Sequence, residues 1–307
     1  MNGLILIDKD GGCTSHDVVL SVRKLLNQKK VGHFGTLDPQ ATGLLIIALG
    51  KATRFFPYYL KSDKHYTGTI RLGFSTDSYD AEGTTTSEIS DDFPTETALT
   101  EAIRKFTGPI LQAPPPFSAK KFKGKPLYTL ARQNKPVPLN PSEVTIHSWK
   151  VSHYDPPFFH YDIRCSSGTY IRSLAHDLGK ILGCGAHLSS LQRLRIGPFE
   201  TADALRLKEL KTRVESGDRS SFLLPMETLL TELPTVILNA AGILLAVNGS
   251  PISPNHVLHI HPGTAAEGDT DDPRTFRLFS EDHRFIALSS RDEKNDCFHP
   301  FLVIEKE

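Results

Sequence analysis

Three side chains, far apart in the chain, stand where chemistry is possible: Asp38, Tyr66 and Arg172. Asp38 lies in Gly32-His33-Phe34-Gly35-Thr36-Leu37-Asp38-Pro39-Gln40-Ala41-Thr42-Gly43, a glycine-punctuated segment between two apolar ones. Glycine lets backbone approach a ligand closely, and Pro39 fixes the geometry that follows the carboxylate. A carboxylate on such a loop can act as nucleophile, as base, or as partner to positive charge developing at a sugar. The same spacing equally describes a turn in which Asp38 caps its own backbone, and spacing alone favours the turn. Arg172, in Gly168-Thr169-Tyr170-Ile171-Arg172-Ser173-Leu174-Ala175, falls in the first turn of an expected helix and off its apolar stripe. The helix dipole prefers acids at that end, so the arginine calls for a carboxylate or phosphate partner; failing one, it is a solvated surface residue. Tyr66 shares a strand face with Ile70, Leu72 and Phe74. It reads either as a core tyrosine with its hydroxyl at the edge or as a ring that stacks on a nucleobase.

The elements that must hold these residues follow from hydrophobic period. Gly3 to Ile7 is expected to be a strand that begins almost at once. Thr14-Ser15-His16-Asp17 opens a helix whose apolar face is Val18, Val19, Val22, Leu25 and Leu26. After Val31, residues 32–43 are expected to be irregular, and Leu44 to Leu49 to be a buried strand closed by Gly50. His65 to Phe74 alternates as a strand, Thr76 to Gly83 is a polar loop, Glu96 to Phe106 a short helix, and Pro114-Pro115-Pro116 a stiff extended piece. Phe159, Tyr161, Ile163 and Cys165 alternate again. Ile171, Leu174, Ala175, Leu178, Ile181 and Leu182 make a helical stripe. Beyond Leu233-Pro234 the pattern turns to short strands, expected at Val236-Leu238, Arg277-Leu278, Phe285-Leu288 and Phe301-Ile304. The fold class is α+β: a mixed, mainly antiparallel sheet flanked by helices over residues 1–230, and a small, mostly β domain over 231–307.

Composition narrows the function. The 307 residues suit one large domain and one small one. No run is long and apolar enough to span a membrane, and Met1 to Lys9 has no basic n-region or small-residue cleavage site. Cys13, Cys165, Cys184 and Cys297 form no C-x-x-C pair and show no zinc-finger spacing with histidine, which points to a reduced, cytoplasmic protein. His147, His153 and His160 match no ligand motif, so no metal is expected. Lysine plus arginine and aspartate plus glutamate each total 35, which argues against coating nucleic acid by bulk charge. Ala102 to Ser142 nevertheless holds no acid, while carrying Arg104, Lys105, Lys120, Lys121, Lys123, Lys125, Arg132 and Lys135. Acids around Glu267, Asp269, Asp271 and Asp272 offset part of it.

In combination these segments are more specific than any one of them. The chain resembles the TruB family of tRNA pseudouridine synthases. Gly32-His33 with Gly35-Thr36-Leu37-Asp38-Pro39 and Ala41-Thr42-Gly43 is similar to the family's catalytic motif, and Tyr66 before Ile70-Arg71-Leu72-Gly73 to its tyrosine motif. Leu4-Ile5-Leu6-Ile7-Asp8-Lys9 and Thr14-Ser15 look like its opening, and Thr76-Asp77-Ser78-Tyr79-Asp80-Ala81-Glu82-Gly83 like its acidic loop. Gln112 to Lys120 and Tyr128-Thr129-Leu130-Ala131-Arg132 look like its RNA-clasping insertion. Leu191-Gln192-Arg193-Leu194-Arg195-Ile196-Gly197-Pro198-Phe199 looks like its pocket-lining segment. Phe34, Phe117, Gln192 and Asn134 stand where the family commonly has other residues.

The resemblance implies a catalytic group of Asp38, Arg172 and Tyr66. Asp38 is the reacting carboxylate, Arg172 pairs with it and favours its ionised form, and Tyr66 packs on the target base. It implies substrate contacts from His33, which helps open the T-loop, from Leu191 in the pocket, and from Lys9, Lys120, Lys121, Lys123 and Arg132. The reaction detaches uracil N1 from ribose C1′, turns the base and joins C5 to C1′. This is an isomerisation without redox change or group donor, so no cofactor is expected; the absence of a Rossmann fingerprint, phosphate loop or metal motif agrees. The partner is the T-arm of tRNA, the uridine being flipped out to react. No membrane and no obligate protein partner are expected, and a monomer is the default. The tail is expected to be a PUA-like RNA-binding domain. Three alternatives stay open: a guide-RNA-dependent synthase of the same superfamily, a non-catalytic RNA-binding or tRNA-folding protein, and a metal-dependent nuclease using Asp77, Asp80 and Glu82.

Overall fold

The computed structural model describes residues 1–118, 121–122, 125–126, 140–264 and 274–304, with backbone alone at 121–122 and 125–126. In chain order the elements are β1 (Gly3–Lys9), α1 (Ser15–Leu25), β2 (Val31–Phe34), β3 (Thr42–Leu49), α2 (Phe56–Leu60), β4 (Lys64–Leu72), α3 (Glu96–Arg104) and β5 (Gly108–Gln112). Next come β6 (Lys121–Phe122), β7 (Lys125–Pro126), β8 (Ser142–Asp155), β9 (Phe158–Cys165), α4 (Ile171–Leu182), β10 (Ala186–Ile196), β11 (Phe199–Glu200) and α5 (Leu207–Glu215). The tail adds β12 (Thr235–Leu238), α6 (Ala240–Val247), β13 (Val257–His261), β14 (Thr275–Ser280), β15 (Phe285–Asp292) and β16 (Cys297–Val303).

The large sheet runs β1-β3-β10-β4-β9-β8-β5, with β2 on β3 and β11 on β10. Among the described residues its one parallel contact is short: Gln192 and Arg193 of β10 lie beside Thr42 and Gly43 of β3. The rest is antiparallel, so the expected α+β class with a mixed, mainly antiparallel sheet is what forms. The apolar runs of β1 and β3 follow from burial on both faces. Ile5, Ile7, Leu45, Ile47 and Leu49 face α1 and α5, while Leu4, Leu6, Leu44, Ile46 and Ala48 face Phe279, Phe285, Leu288 and Leu302 of the tail. Leu44 to Leu49 are all 0 % exposed, so truncating any large one to alanine costs about 2–5 kcal/mol. Farther along the sheet, Tyr66, Ile70, Leu72, Phe159, Tyr161 and Ile163 pack under α3 and α4.

The tail is a second sheet, ordered β13-β12-β14-β15-β16, with β12 and β14 parallel. It is mostly β, as expected, but it also contains α6. Ala240–Val247 is apolar almost throughout, so no helical period announces it. Two long strands, β8 and β10, also go unannounced. The stretch 32–43, expected to be irregular, begins with a strand: Val31 to Phe34 pair with Leu49 to Ile46.

Candidate active site

The Asp38 loop is anchored from several sides before any ligand arrives. Lys9 is 1 % exposed, and its ammonium donates to the carbonyls of Asp10, Pro39 and Ala41 at 2.9, 2.9 and 2.7 Å. Ser15, at the start of α1, accepts from the Leu37 N–H at 2.9 Å and donates to the Leu37 carbonyl at 3.1 Å. The α1 terminus is itself fixed by a reciprocal cap: Thr14 Oγ1 accepts from the Asp17 N–H, and the Asp17 carboxylate accepts from the Thr14 N–H. Such a cap contributes about 1 kcal/mol. Asp38-Pro39-Gln40-Ala41 closes as a turn, with the Ala41 N–H on the Asp38 carbonyl at 3.1 Å. The turn reading of Asp38 thus describes its backbone, while its side chain is left free for another partner.

Arg193 is the hidden centre of the loop. It is 2 % exposed, and it donates from Nε to the Leu44 carbonyl at 2.8 Å, from Nη2 to Gly35 at 2.9 Å and from Nη1 to Thr36 at 3.4 Å. Its backbone leaves no room at position 43: Gly43 has φ +95°, and a Cβ there would lie 2.3 Å from the Arg193 carbonyl oxygen. Arg193 is also the register partner of Tyr66, and its positive charge acts on the buried phenol. β10 therefore joins the loop to the tyrosine.

Arg172 reaches Asp38 as a fork. Nε lies 3.0 Å from Asp38 Oδ2, and Nη2 donates to Asp38 Oδ1 at 3.1 Å. The other Nη2 hydrogen goes to the Phe117 carbonyl at 3.0 Å, and Nη1 serves the Ser78 carbonyl at 3.3 Å and Asp80 Oδ2 at 3.2 Å. Four of these contacts are hydrogen bonds and the Nε contact is an ion pair, and the residue is 6 % exposed. The solvated-surface alternative for Arg172 is therefore excluded. Its helix is held in turn by Gln112, whose side-chain amide makes a reciprocal pair with the backbone of Tyr170, and by Ser173 Oγ on the Ala113 carbonyl at 2.8 Å.

The acidic loop supplies a member of the site that sequence reasoning had assigned only to a nuclease alternative. Asp80 is the second carboxylate on Arg172. Its loop is tied down by Ala81 N–H and Leu188 N–H bonds across to β10, by Gln40 on Glu82 at 2.8 Å, and by Tyr79 stacked on His176 of α4 at 3.7 Å. One arginine bridges Asp38 and Asp80. Among the described residues, the site holds no three donor atoms close enough to share an ion.

Electrostatics sharpens one expectation and reverses another. The Asp38 carboxyl titrates above the usual carboxylate range. Burial is the largest cause, Arg172 pulls it down, and Asp80 and Glu82 push it up. Arg172 acts in the expected direction but does not outweigh desolvation. The side chain is still 43 % exposed, so part of the carboxylate reaches solvent. Burial likewise raises the Tyr66 phenol, which stays protonated at neutral pH. His33, on β2, is pushed below the usual imidazole range by burial and by the charge of Arg193, so it is neutral there. Leu191 lies on β10 opposite Gly68, half-buried against the cluster that includes Tyr66. Lys9 departs from its expected role: all three of its donors are taken by loop carbonyls, leaving none for substrate. Lys120, Lys123 and Arg132 lie outside the described residues. Lys121 falls in β6, where only backbone is described.

The comparisons with known proteins agree with this geometry. The family model described as "TruB family pseudouridylate synthase (N terminal domain)" matches residues 23–171, and that described as "tRNA pseudouridylate synthase B C-terminal domain" matches 172–231. A protein named tRNA pseudouridine synthase B from Dehalococcoides mccartyi (strain CBDB1) is 38 % identical over the whole chain and 98 % of its own length. One from Geotalea uraniireducens (strain Rf4) is 44 % identical, covering 81 % of this chain and 80 % of the relative. Among solved structures, "Structure of H/ACA RNP bound to a substrate RNA containing 2'-deoxyuridine" aligns with a TM-score of 0.73 at 25 % identity, over 99 % of this chain and 85 % of that one. "Crystal Structure of a Cbf5-Nop10-Gar1 Complex" aligns at 0.72 and 26 %, over 99 % and 84 %. Fold and site together are those of an RNA-modifying isomerase of the pseudouridine synthase class. Within it, the chain belongs to the TruB family of tRNA pseudouridine synthases. Among the described residues, no helix is long and apolar enough to cross a membrane.

Proposed function

We propose that this chain isomerises the T-loop uridine of tRNA to pseudouridine, without a cofactor, with Asp38 as the catalytic residue. The observation that carries the proposal is the Arg172 fork on Asp38, which fixes one carboxylate whose side chain is still 43 % exposed. An anchored loop and a paired arginine pre-organise the carboxylate, so little reorganisation remains for the reaction. Asp38 acts at C1′ or on the base while the N1–C1′ bond breaks. The protonated ring of Tyr66 supports the uracil as it turns to present C5. Neutral His33 fills the gap that base flipping leaves, and Leu191 lines the pocket. Lys9 and Arg193 position the loop rather than touch RNA.

Residues 1–230 form the catalytic domain, with the acid-free stretch near 102–142 contacting phosphates through Lys120, Lys121, Lys123 and Arg132. Residues 231–307 form a PUA-like RNA-binding domain. The enzyme works in the cytoplasm as a monomer, without guide RNA or protein partner. Two of the similar solved structures are described as RNA–protein or protein assemblies, but the relatives named tRNA pseudouridine synthase B match at higher identity, one of them over the whole chain, which favours stand-alone action. The test is purified protein with unmodified tRNA transcript, EDTA and no other component. Pseudouridine at the T-loop uridine is expected. A requirement for guide RNA, a second protein or a metal defeats the reading.

A further inference from the structure

Outside the candidate active site, one group of side chains has no role in the activity: Asp292, Cys297 and His299, at the closed end of the β15–β16 hairpin. Cys297 and His299 are two apart on β16 and so project from one face. Asp292 is the register partner of Cys297 and projects from the same face. Cys297 Sγ lies 3.1 Å from His299 Nε2, His299 Nε2 lies 3.9 Å from Asp292 Oδ2, and all three donor atoms fall within 4.8 Å of one another.

We propose that these residues form a binding site for a borderline-soft divalent metal ion of the zinc class. Zinc bound to sulfur at about 2.3 Å and to nitrogen or oxygen at about 2.0–2.1 Å in a tetrahedron sets its donors about 3.5 Å apart. The Cys297–His299 and His299–Asp292 separations, 3.1 and 3.9 Å, bracket that spacing, so small side-chain adjustments seat the ion. Thiolate and imidazole select against calcium and magnesium, which demand oxygen.

The surroundings suit the role. Asp292 is oriented from behind, with Oδ1 accepting the Lys294 N–H at 3.0 Å and Oδ2 accepting from Asn295 Nδ2 at 2.8 Å. The nearest arginine, Arg291, faces the other way: it packs over the Phe298 ring and pairs with Asp296 at 2.9 Å, leaving the donors free of its charge. Cys297 is 9 % exposed, whereas the His299 side chain is 45 % exposed, so the fourth position opens to water. Binding displaces the thiol proton of Cys297 to solvent. The ion's two charges are then balanced by thiolate and carboxylate, with the imidazole neutral. Cys13 is half-buried and Cys165 and Cys184 are buried elsewhere in the chain, so a sulfur-ligated metal reports on Cys297.

The test uses the full chain stripped with EDTA and titrated with cobalt(II), then with zinc(II) in competition. One cobalt per chain is expected, with a thiolate-to-cobalt charge-transfer band in the near ultraviolet and tetrahedral visible bands that zinc abolishes. Cys297→Ser should lose the charge-transfer band, and His299→Ala should bind at least tenfold more weakly, each with an unchanged far-ultraviolet circular dichroism spectrum. A wild-type chain without the band overturns the proposal and leaves a plain thiol–imidazole hydrogen bond. A band that survives Cys297→Ser, or an affinity unchanged in His299→Ala, overturns it too.

Discussion

Replacing Arg172 with lysine keeps the positive charge and removes the fork. Lysine offers three donors at one point, whereas the native side chain contacts five acceptors, among them both Asp38 oxygens and one Asp80 oxygen. At least one charge-assisted bond to Asp38 is lost. Such bonds contribute about 1.5–3 kcal/mol, and each 1.36 kcal/mol is tenfold in rate, so kcat should fall roughly 10- to 150-fold. KM should stay within about twofold, because Arg172 is 6 % exposed and makes its contacts inside the protein. Arg172→Met also removes the charge. It leaves two carboxylates facing each other, with a penalty of about 3–5 kcal/mol for breaking a buried pair, reduced here because Asp38 is partly open to solvent. The pH profile carries a signed signature. Asp38 already titrates above the usual range, and Arg172 is what opposes that rise. Activity that needs the carboxylate grows as pH climbs through this raised value. Arg172→Met should therefore move the acid limb of kcat/KM upward, whereas Asp80→Asn removes a cause of the rise and should move it downward. The assay is single-turnover release of tritium from C5-labelled uridine in tRNA, followed across pH. An Arg172→Lys enzyme within threefold of wild type, or limbs that shift together in the two charge variants, would refute the reasoning.

Tyr66→Phe keeps the ring and removes only the hydroxyl, so kcat should fall only about fivefold, whereas Tyr66→Ala should be far worse; equal losses would mean that the hydroxyl does chemistry. Lys9→Met strands three carbonyls, which should cost about 2–3 kcal/mol and lower Tm by roughly 3–6 °C, with kcat affected more than KM; a KM effect alone would restore Lys9 as a substrate contact. Charge reversal at Lys120, Lys121 and Lys123 should weaken tRNA binding and flatten its salt dependence, and an unchanged slope in a salt titration rejects the phosphate-contact role.

What the chain disclosed by itself were features with a local signature. Tyr66 and Phe159 to Cys165 alternate, the α4 stripe has helical period, and the Asp38 loop carries its own glycines and proline. What stayed hidden depends on register between distant strands. Arg193 matters because β10 brings it beside Gly43 on one side and Tyr66 on the other, and no spacing within β10 encodes either neighbour. Asp80 was visible as an acid in a polar loop. Its meaning needed the fold that lays that loop across the start of α4. Arg172 could be recognised as misplaced for the helix dipole, yet only packing decides that it is buried. Lys9 looked like a basic residue near the site, and only the closed loop around it reveals three occupied donors. The Cys297–His299 pair escaped because metal spacing was sought in finger patterns, whereas a strand needs only one intervening residue, with its third donor contributed by the neighbouring strand.

Asp38→Asn tests the central claim most directly. The amide keeps the size of the side chain and its place on the turn while removing the charged carboxylate. Pseudouridine formation and tRNA affinity should be measured on the same preparation, with unmodified transcript. No detectable pseudouridine, with tRNA affinity within about threefold of wild type, is the predicted result; pseudouridine formed at a measurable rate by this variant would contradict the account.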